Sequence, residues 1–166
     1  MNESLAIDPS RFQPLTLLPM NPARAALFGA NLAGIDPWLR LGYSPVGLAR
    51  YLSANDQGRQ TLALQDGETT AACFTVRPGW LRGPLLELLA VLPQHQGRGL
   101  GKEIIRRLAD EFRRQGEANL WTISSEFNVS ARRFYQRQGF DEIGVLPDLV
   151  RLGETEILLR LKLQVV

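Results

Sequence analysis

Three glycines at alternate positions, Gly97, Gly99 and Gly101, sit in the stretch Val91-Leu92-Pro93-Gln94-His95-Gln96-Gly97-Arg98-Gly99-Leu100-Gly101-Lys102. Residues without Cβ at this spacing let several backbone N–H groups point into one concavity, with the positive end of a following helix behind them. A pyrophosphate needs that arrangement; a closely packed strand-to-helix turn needs the same glycines. Two phosphate motifs fail on spacing. A P-loop would have Gln96 at its first glycine and Glu103 at its hydroxyl residue, and a G-x-G-x-x-G turn would have Lys102 at its third glycine. Glu87 is the only ionisable residue in the apolar run 85–92, an expensive place for an unpaired carboxylate. It reads as a general base, an ammonium anchor or a paired structural carboxylate. The lone cysteine, Cys73, excludes an intramolecular disulfide or a cysteine-rich zinc cluster and reads as a buried strand residue. The lone histidine, His95, removes two-histidine metal sites and is placed on the solvent-facing approach to the glycine turn. No metal is expected.

These residues need elements to hold them. After an expected flexible arm at 1–11, a single domain at 12–166 is predicted. It opens with a strand near 15–18 and a helix capped by Asn21 with Pro22 at its first position. A loop holding Trp38, Arg40 and Tyr43 follows, then a helix started by Ser44 and Pro45. Strands at 61–65 and 69–76 flank the Asp66-Gly67 turn, and 85–92 is a third. Leu100, Ile104, Ile105, Leu108 and Phe112 form one helical stripe that stops at Gly116. A strand at 120–124 precedes a helix capped by Asn128 and closed by Gly139-Phe140, and a hairpin of 144–146 with 156–163 ends the chain. The order predicts a mixed α/β, or α+β, domain.

Composition agrees: with 166 residues, 45% hydrophobic and 22% charged, the chain has ordinary globular usage. No apolar run approaches the ~18 residues of a membrane span, and 1–12 lacks the apolar region of a secretory signal. A cytoplasmic location without a membrane partner is therefore expected. The formal charge is only +2, yet Arg98, Lys102, Arg106, Arg107, Arg113, Arg114, Arg132, Arg133 and Arg137 crowd the 98–137 stretch against five acids. That excess suits an anionic ligand, or else a solvated helix face.

The surviving pattern, Gln96-Gly97-Arg98-Gly99-Leu100-Gly101 directly after Ala90-Val91, resembles the GNAT superfamily of acyl-CoA-dependent N-acyltransferases. A second block, Asn128-Val129-Ser130-Ala131-Arg132-Arg133-Phe134-Tyr135 followed by Gly139-Phe140, is similar to that family's Asn-x-x-Ala-x-x-x-Tyr helix. The close match covers about 85–143 and the order of elements nearly the whole chain. The resemblance implies a mostly antiparallel sheet of about six to seven strands flanked by about four helices, with a V-shaped split between the fourth and fifth strands.

It further implies acetyl-CoA as co-substrate. Leu89, Ala90 and Val91 would hold its pantetheine, with the Leu89 amide against the thioester oxygen. Gln96, Gly97, Arg98, Gly99, Leu100, Gly101 and Lys102 would take the pyrophosphate. Asn128 would reach the pantetheine or phosphate, and Arg132 would assist the phosphates or lie exposed. Tyr135 would be the acid beside the sulfur, or else a core tyrosine. Glu87, which strand alternation puts on one face with Leu85 and Leu89, would be the proton acceptor, with Glu126 in reserve. Trp38, Arg40 and Tyr43 would border the acceptor pocket, although a tryptophan after Asp-Pro also staples a loop.

Acetyl transfer by direct attack on a small-molecule or peptide amine is the expected activity, and the family's acceptors range from peptide N-termini to polyamines and aminoglycosides. A catalytically silent acyl-CoA sensor is the alternative. The modest charge and the absence of a recognition-helix motif argue against a nucleic-acid partner. Pairing of exposed edge strands into a homodimer would be in keeping with the family.

Overall fold

The computed structural model describes residues 7–54, 56 and 58–163. Among them, seven strands form one sheet: β1 (Thr16–Pro19), β2 (Gln60–Asp66), β3 (Thr69–Trp80), β4 (Gly83–Val91), β5 (Asn119–Ser125), β6 (Asp141–Pro147) and β7 (Thr155–Lys162). Their spatial order is β1-β2-β3-β4-β5-β7-β6. Every neighbouring pair is antiparallel except β4 and β5. Five helices complete the fold: α1 (Pro22–Leu32), α2 (Trp38–Leu41), α3 (Pro45–Ser53), α4 (Leu100–Arg114) and α5 (Val129–Arg137).

The sheet is covered on both sides, so β3 carries an unbroken buried run from Ala71 to Val76 rather than an alternating one. Phe28 and Leu32 of α1 and Leu48 and Leu52 of α3 pack with Ala63, Cys73, Leu88 and Ala90 on one face. Ile104, Leu108 and Phe112 of α4 and Tyr135 of α5 pack with Leu64, Phe74, Leu86 and Leu120 on the other. Capping follows the sequence reading: Asn21 accepts from the Arg24 amide at 2.8 Å, Ser44 from Gly47 at 3.0 Å and Asn128 from Ala131 at 3.2 Å.

Two local expectations change. Residues 1–6 of the expected arm lie outside the described residues, but its last part is tied down. Ile7 is buried, Asp8 caps a 3-10 turn at Pro9–Phe12, and Phe12 stacks on Phe74 at 6.0 Å. Ile7 and the cap at Asp8 anchor what the polar residues around them had suggested was loose, and Phe12 continues the packing at the start of the domain. Secondly, the loop after α1 contains the short helix α2, closed by Gly42 in a left-handed conformation.

The arginine-rich stretch is mostly a paired helix surface. Arg106 meets Glu103 and Asp110, Arg107 meets Glu103, Arg113 meets Asp110, and Arg114 meets Glu111. Neighbours three and four residues apart on a helix supply these partners. Arg106 and Arg107 hold the Glu103 carboxyl down at about 2.

The parallel pairing of β4 with β5 is brief. Only Leu85–Trp121 and Leu86–Thr122 are in register, after which β4 continues beside β3 and β5 beside β7. The closed end of this fork is clamped. Asn119 Nδ2 donates to the Arg82 carbonyl at 3.2 Å, Trp121 Nε1 to the Leu81 carbonyl at 3.1 Å, and Thr122 Oγ1 to the Leu86 carbonyl at 3.0 Å. Gly83 lies so close to β5 that a Cβ there would stand 2.0 Å from the Asn119 carbonyl oxygen.

Gly83→Ala should therefore lower unfolding stability by about 3 kcal/mol, read as a fall in the denaturant midpoint; an unchanged midpoint would deny that the fork is pinned there. Glu103→Gln should cost no more than about 1 kcal/mol at neutral pH, since the pairs are largely solvated. A carboxyl whose folded pKa is depressed stabilises above its unfolded pKa and loses that contribution as pH falls towards about 2. The difference between wild type and variant should accordingly close between about pH 4.5 and pH 2 in thermal melts.

Candidate functional site

Beyond Leu86 the edge of β4 that faces β5 has no partner strand, so its backbone groups border the open part of the fork. At the end of β4 the chain makes a 3-10 turn (Pro93–His95) and enters α4 through Gly97 and Gly99, with φ of +74° and +81°. L-residues with a side chain rarely adopt such values. The turn is fastened by Gln96, whose Nε2 donates to the Val91 carbonyl at 3.0 Å. The first amides of α4, at Leu100, Gly101 and Lys102, have no partner within the helix and add its positive end.

A cleft of about 550 Å³ lies over this turn. Of the residues expected to hold a cofactor, Leu89, Ala90, Val91, Gln96, Gly97, Gly99, Leu100, Gly101, Lys102 and Asn128 line it. Arg98 and Arg132 do not. Arg98 pairs with Asp66 at 3.1 Å and reaches His95 Nδ1 at 3.3 Å, and Arg132 makes a two-pronged pair with Glu142 at 2.7 and 2.9 Å. Each guanidinium is paired with a carboxylate instead. Ser130 and Arg137, which were not singled out as site residues, do line it; Arg137 belonged to the basic stretch that suits an anionic ligand, and both lie one helical turn from Phe134 on α5. His95 is buried rather than solvent-facing, and its Nε2 has no hydrogen-bond partner. It ends the 3-10 turn after β4 and lines the cleft, a placement that spacing alone does not reveal.

A second cavity of about 260 Å³ lies further along the fork. It shares Pro37, Trp38, Leu89, Asn128, Ala131 and Tyr135 with the first. Tyr135 thus belongs to both cavities and to the core at once. Its ring meets Phe134 and Phe140 edge-on at 5.2 and 5.3 Å, and it lines the second cavity together with Thr122. Burial pushes the phenol up to about 12, while Thr122 acts in the opposite sense. A proton is held there at every physiological pH.

Glu87 also lines the second cavity, but in company. Tyr51 Oη donates to it at 2.8 Å, Arg77 Nε donates to its other oxygen, and Arg59 Nη1 stands 3.9 Å away. Burial, then Glu87 itself, pushes the Tyr51 hydroxyl upward, so Tyr51 remains the donor. The expected face was also different. Thr75 pairs with Leu88 and Val76 with Leu86, leaving Glu87 as the extra residue of a β-bulge. The bulge breaks alternation: Leu89 packs with the α4 core, whereas Glu87 is held from α3.

Trp38 and Tyr43 line the second cavity, whereas Arg40 turns away to lie over the Phe127 ring at 4.0 Å and to pair with Glu154 at 3.1 and 3.2 Å. Arg151 Nη1 donates to the Arg40 carbonyl at 2.7 Å, so the loop around α2 and the β6–β7 loop are tied together. Glu126 lines neither cavity; its amide donates to the Thr155 carbonyl.

The carboxylate that sequence reasoning missed is Glu156. It is 4% exposed, lines the second cavity, and accepts from Ser125 Oγ at 2.9 Å, directly across the β5–β7 ladder. Burial pushes its carboxyl up, Ser125 pulls the other way, and Glu154 adds to the rise. The signal was weak: Glu156 opens the apolar run Ile157-Leu158-Leu159, but Arg160 and Lys162 share its strand, so it did not stand alone as Glu87 did. What was missing was knowledge that β7 lies beside β5.

Among the described residues no cluster of three metal-binding side chains occurs, and no helix is long and apolar enough to cross a membrane. Comparison with known proteins agrees with the geometry. The chain is 32% identical over 90 residues to the [ribosomal protein bS18]-alanine N-acetyltransferase of Escherichia coli (strain K12), covering 54% of this chain and 61% of that protein. It is 30% identical over 80 residues to streptothricin acetyltransferase of Streptomyces lavendulae, covering 48% and 42%. The matches thus span less than two thirds of either relative. An acetyltransferase of Thermus thermophilus has the same fold, with a TM-score of 0.71 at 24% identity over 89% of this chain and 96% of that one. Residues 30–140, which run from α1 through the glycine turn to the end of α5, match the profile of the Acetyltransferase (GNAT) family. A fork, a glycine turn and a buried tyrosine in that order, within a match over more than half its length, mean that the chain belongs to that family.

Proposed function

We propose that the protein is an N-acetyltransferase that moves an acetyl group from acetyl-CoA to a primary amine by direct attack within a ternary complex. One observation carries this reading: two cavities on one open fork meet at a single buried phenol, Tyr135. The first cavity has the fittings for a phosphorylated arm, namely left-handed glycines, the start of α4, Lys102 and Arg137. The free edge of β4 offers backbone groups to an amide-bearing chain.

Bound there, acetyl-CoA would supply a carbonyl already activated as a thioester. Leu89 to Val91 orient it, and the glycine turn fixes its charged end. Tyr135, protonated at working pH, directs its O–H at the sulfur and stabilises the departing thiolate. With a phenol pKa near 12 this is a hydrogen bond that strengthens as the C–S bond breaks, not a transfer completed beforehand. Glu87 serves as a wall of the acceptor cavity whose charge Arg77 and Arg59 balance.

Calorimetry should show acetyl-CoA binding with a Kd of roughly 1–100 μM; no heat at millimolar ligand would remove the reading. Gly99→Val, which forces a side chain into a left-handed position over the turn, should weaken that binding at least ~10-fold. Tyr135→Phe should lower kcat about 10²-fold while leaving the Kd for acetyl-CoA within about 3-fold. Because the phenol titrates near 12, kcat should show no falling limb from this group below about pH 10. Unchanged turnover in Tyr135→Phe would strip the residue of its role.

A further inference from the structure

Resting on the acetyl-transfer reading, we propose that the acceptor is a primary amine with a single positive charge beside an aryl or branched alkyl group, and that Glu156 receives its ammonium. The charges that wall the acceptor cavity lead there. Glu87 is matched by Arg77 and Arg59, and Arg77 also takes Asp56 at 3.0 Å, so that cluster has no negative charge to spare. Glu156 has one oxygen on Ser125 and makes no ion pair among the described residues. A buried carboxylate left in this state is costly unless a cation arrives. Only one such place exists on the described wall, which suits one ammonium and not the several of a polycation.

Thr122, Ser124, Ser125 and Asn128 line the β5 side of the cavity, and its opposite wall is largely apolar. Trp38, Leu41, Leu149 and Val150 line it, with Tyr43 at its edge. Leu149 and Val150 are 54% and 44% exposed, a cost to solvation that an apolar substituent would relieve. The ionisable groups around Glu156 are Tyr43, Tyr135, Glu154 with its partner Arg40, and Glu87 across the cavity. Burial pushes both phenols upward, so they stay neutral while an amine loses its proton.

The balance is simple. The ammonium gives one proton to the Glu156 carboxylate, which returns it to solvent. The freed nitrogen forms the C–N bond as the C–S bond breaks. Tyr135 gives its proton to sulfur and regains one from the nitrogen, leaving an amide and a thiol.

The test is thiol release by the full chain with acetyl-CoA and a set of amines. 2-Phenylethylamine and a Leu-initiated tripeptide represent the two sources of this chemistry, and spermidine and kanamycin are the polycations. At least one monocation should exceed both polycations in kcat/KM by ~10-fold or more, and the better of the two names the source. Glu156→Gln should lower kcat/KM for that amine about 10²-fold at pH 7, and less at higher pH where the amine deprotonates unaided. It should leave acetyl-CoA binding unchanged. It should also not lower the melting temperature at pH 7, because a carboxyl raised by burial costs folding stability above its folded pKa. Preference for a polycation, a pH-independent loss, or a lower melting temperature in Glu156→Gln would overturn the assignment while the acetyl-transfer reading stands. Absence of acetyl-CoA binding would remove that reading instead.

Discussion

The site depends on a parallel strand pair that stops pairing. β4 and β5 share two register positions and then part, because β4 stays with β3 and β5 stays with β7. Backbone groups that lose a sheet partner must find another or face a cavity. Here they face one, and the cost is met at the closed end, where three side-chain hydrogen bonds and the absence of a Cβ at Gly83 hold the strands together. Both cavities, the glycine turn and Tyr135 take their positions from that divergence.

Charge within the fold is sorted by proximity to a partner rather than by local density. The crowd of basic residues between 98 and 137 looks in sequence like an electrostatic footprint, yet four of its nine members satisfy acids a turn away and two more pair with acids from other elements. Lys102 and Arg137 remain to face the cleft. Conversely, the acids of the acceptor cavity are few and unequal: one neutralised within a network of arginines and a phenol, the other held by a hydroxyl alone.

Much of this was legible in the residues. Caps at Asn21, Ser44 and Asn128, the stripe of α4, and the spacing of Gly97 and Gly99 are local signals, and local physics set them. Strand pairing across a distance was not legible. Alternation put Glu87 on the wrong face because a bulge adds a residue that no pattern announces. Glu156 was overlooked because its importance comes from lying beside Ser125, thirty-one positions away. Polar residues likewise disguised the anchoring of Ile7, which is buried and whose amide donates to Gln60 of β2.

The tie between Arg40 and the β6–β7 loop has an evolutionary corollary. Glu154 and Arg151 grip a segment more than a hundred positions earlier in the chain, so the two banks of the acceptor cavity form one mechanical unit. Lengthening one bank alone would strand a guanidinium or a carboxylate. Divergence towards a new acceptor is thus steered into concerted changes in both segments, and a chimera that exchanges only one bank inherits a mismatched rim.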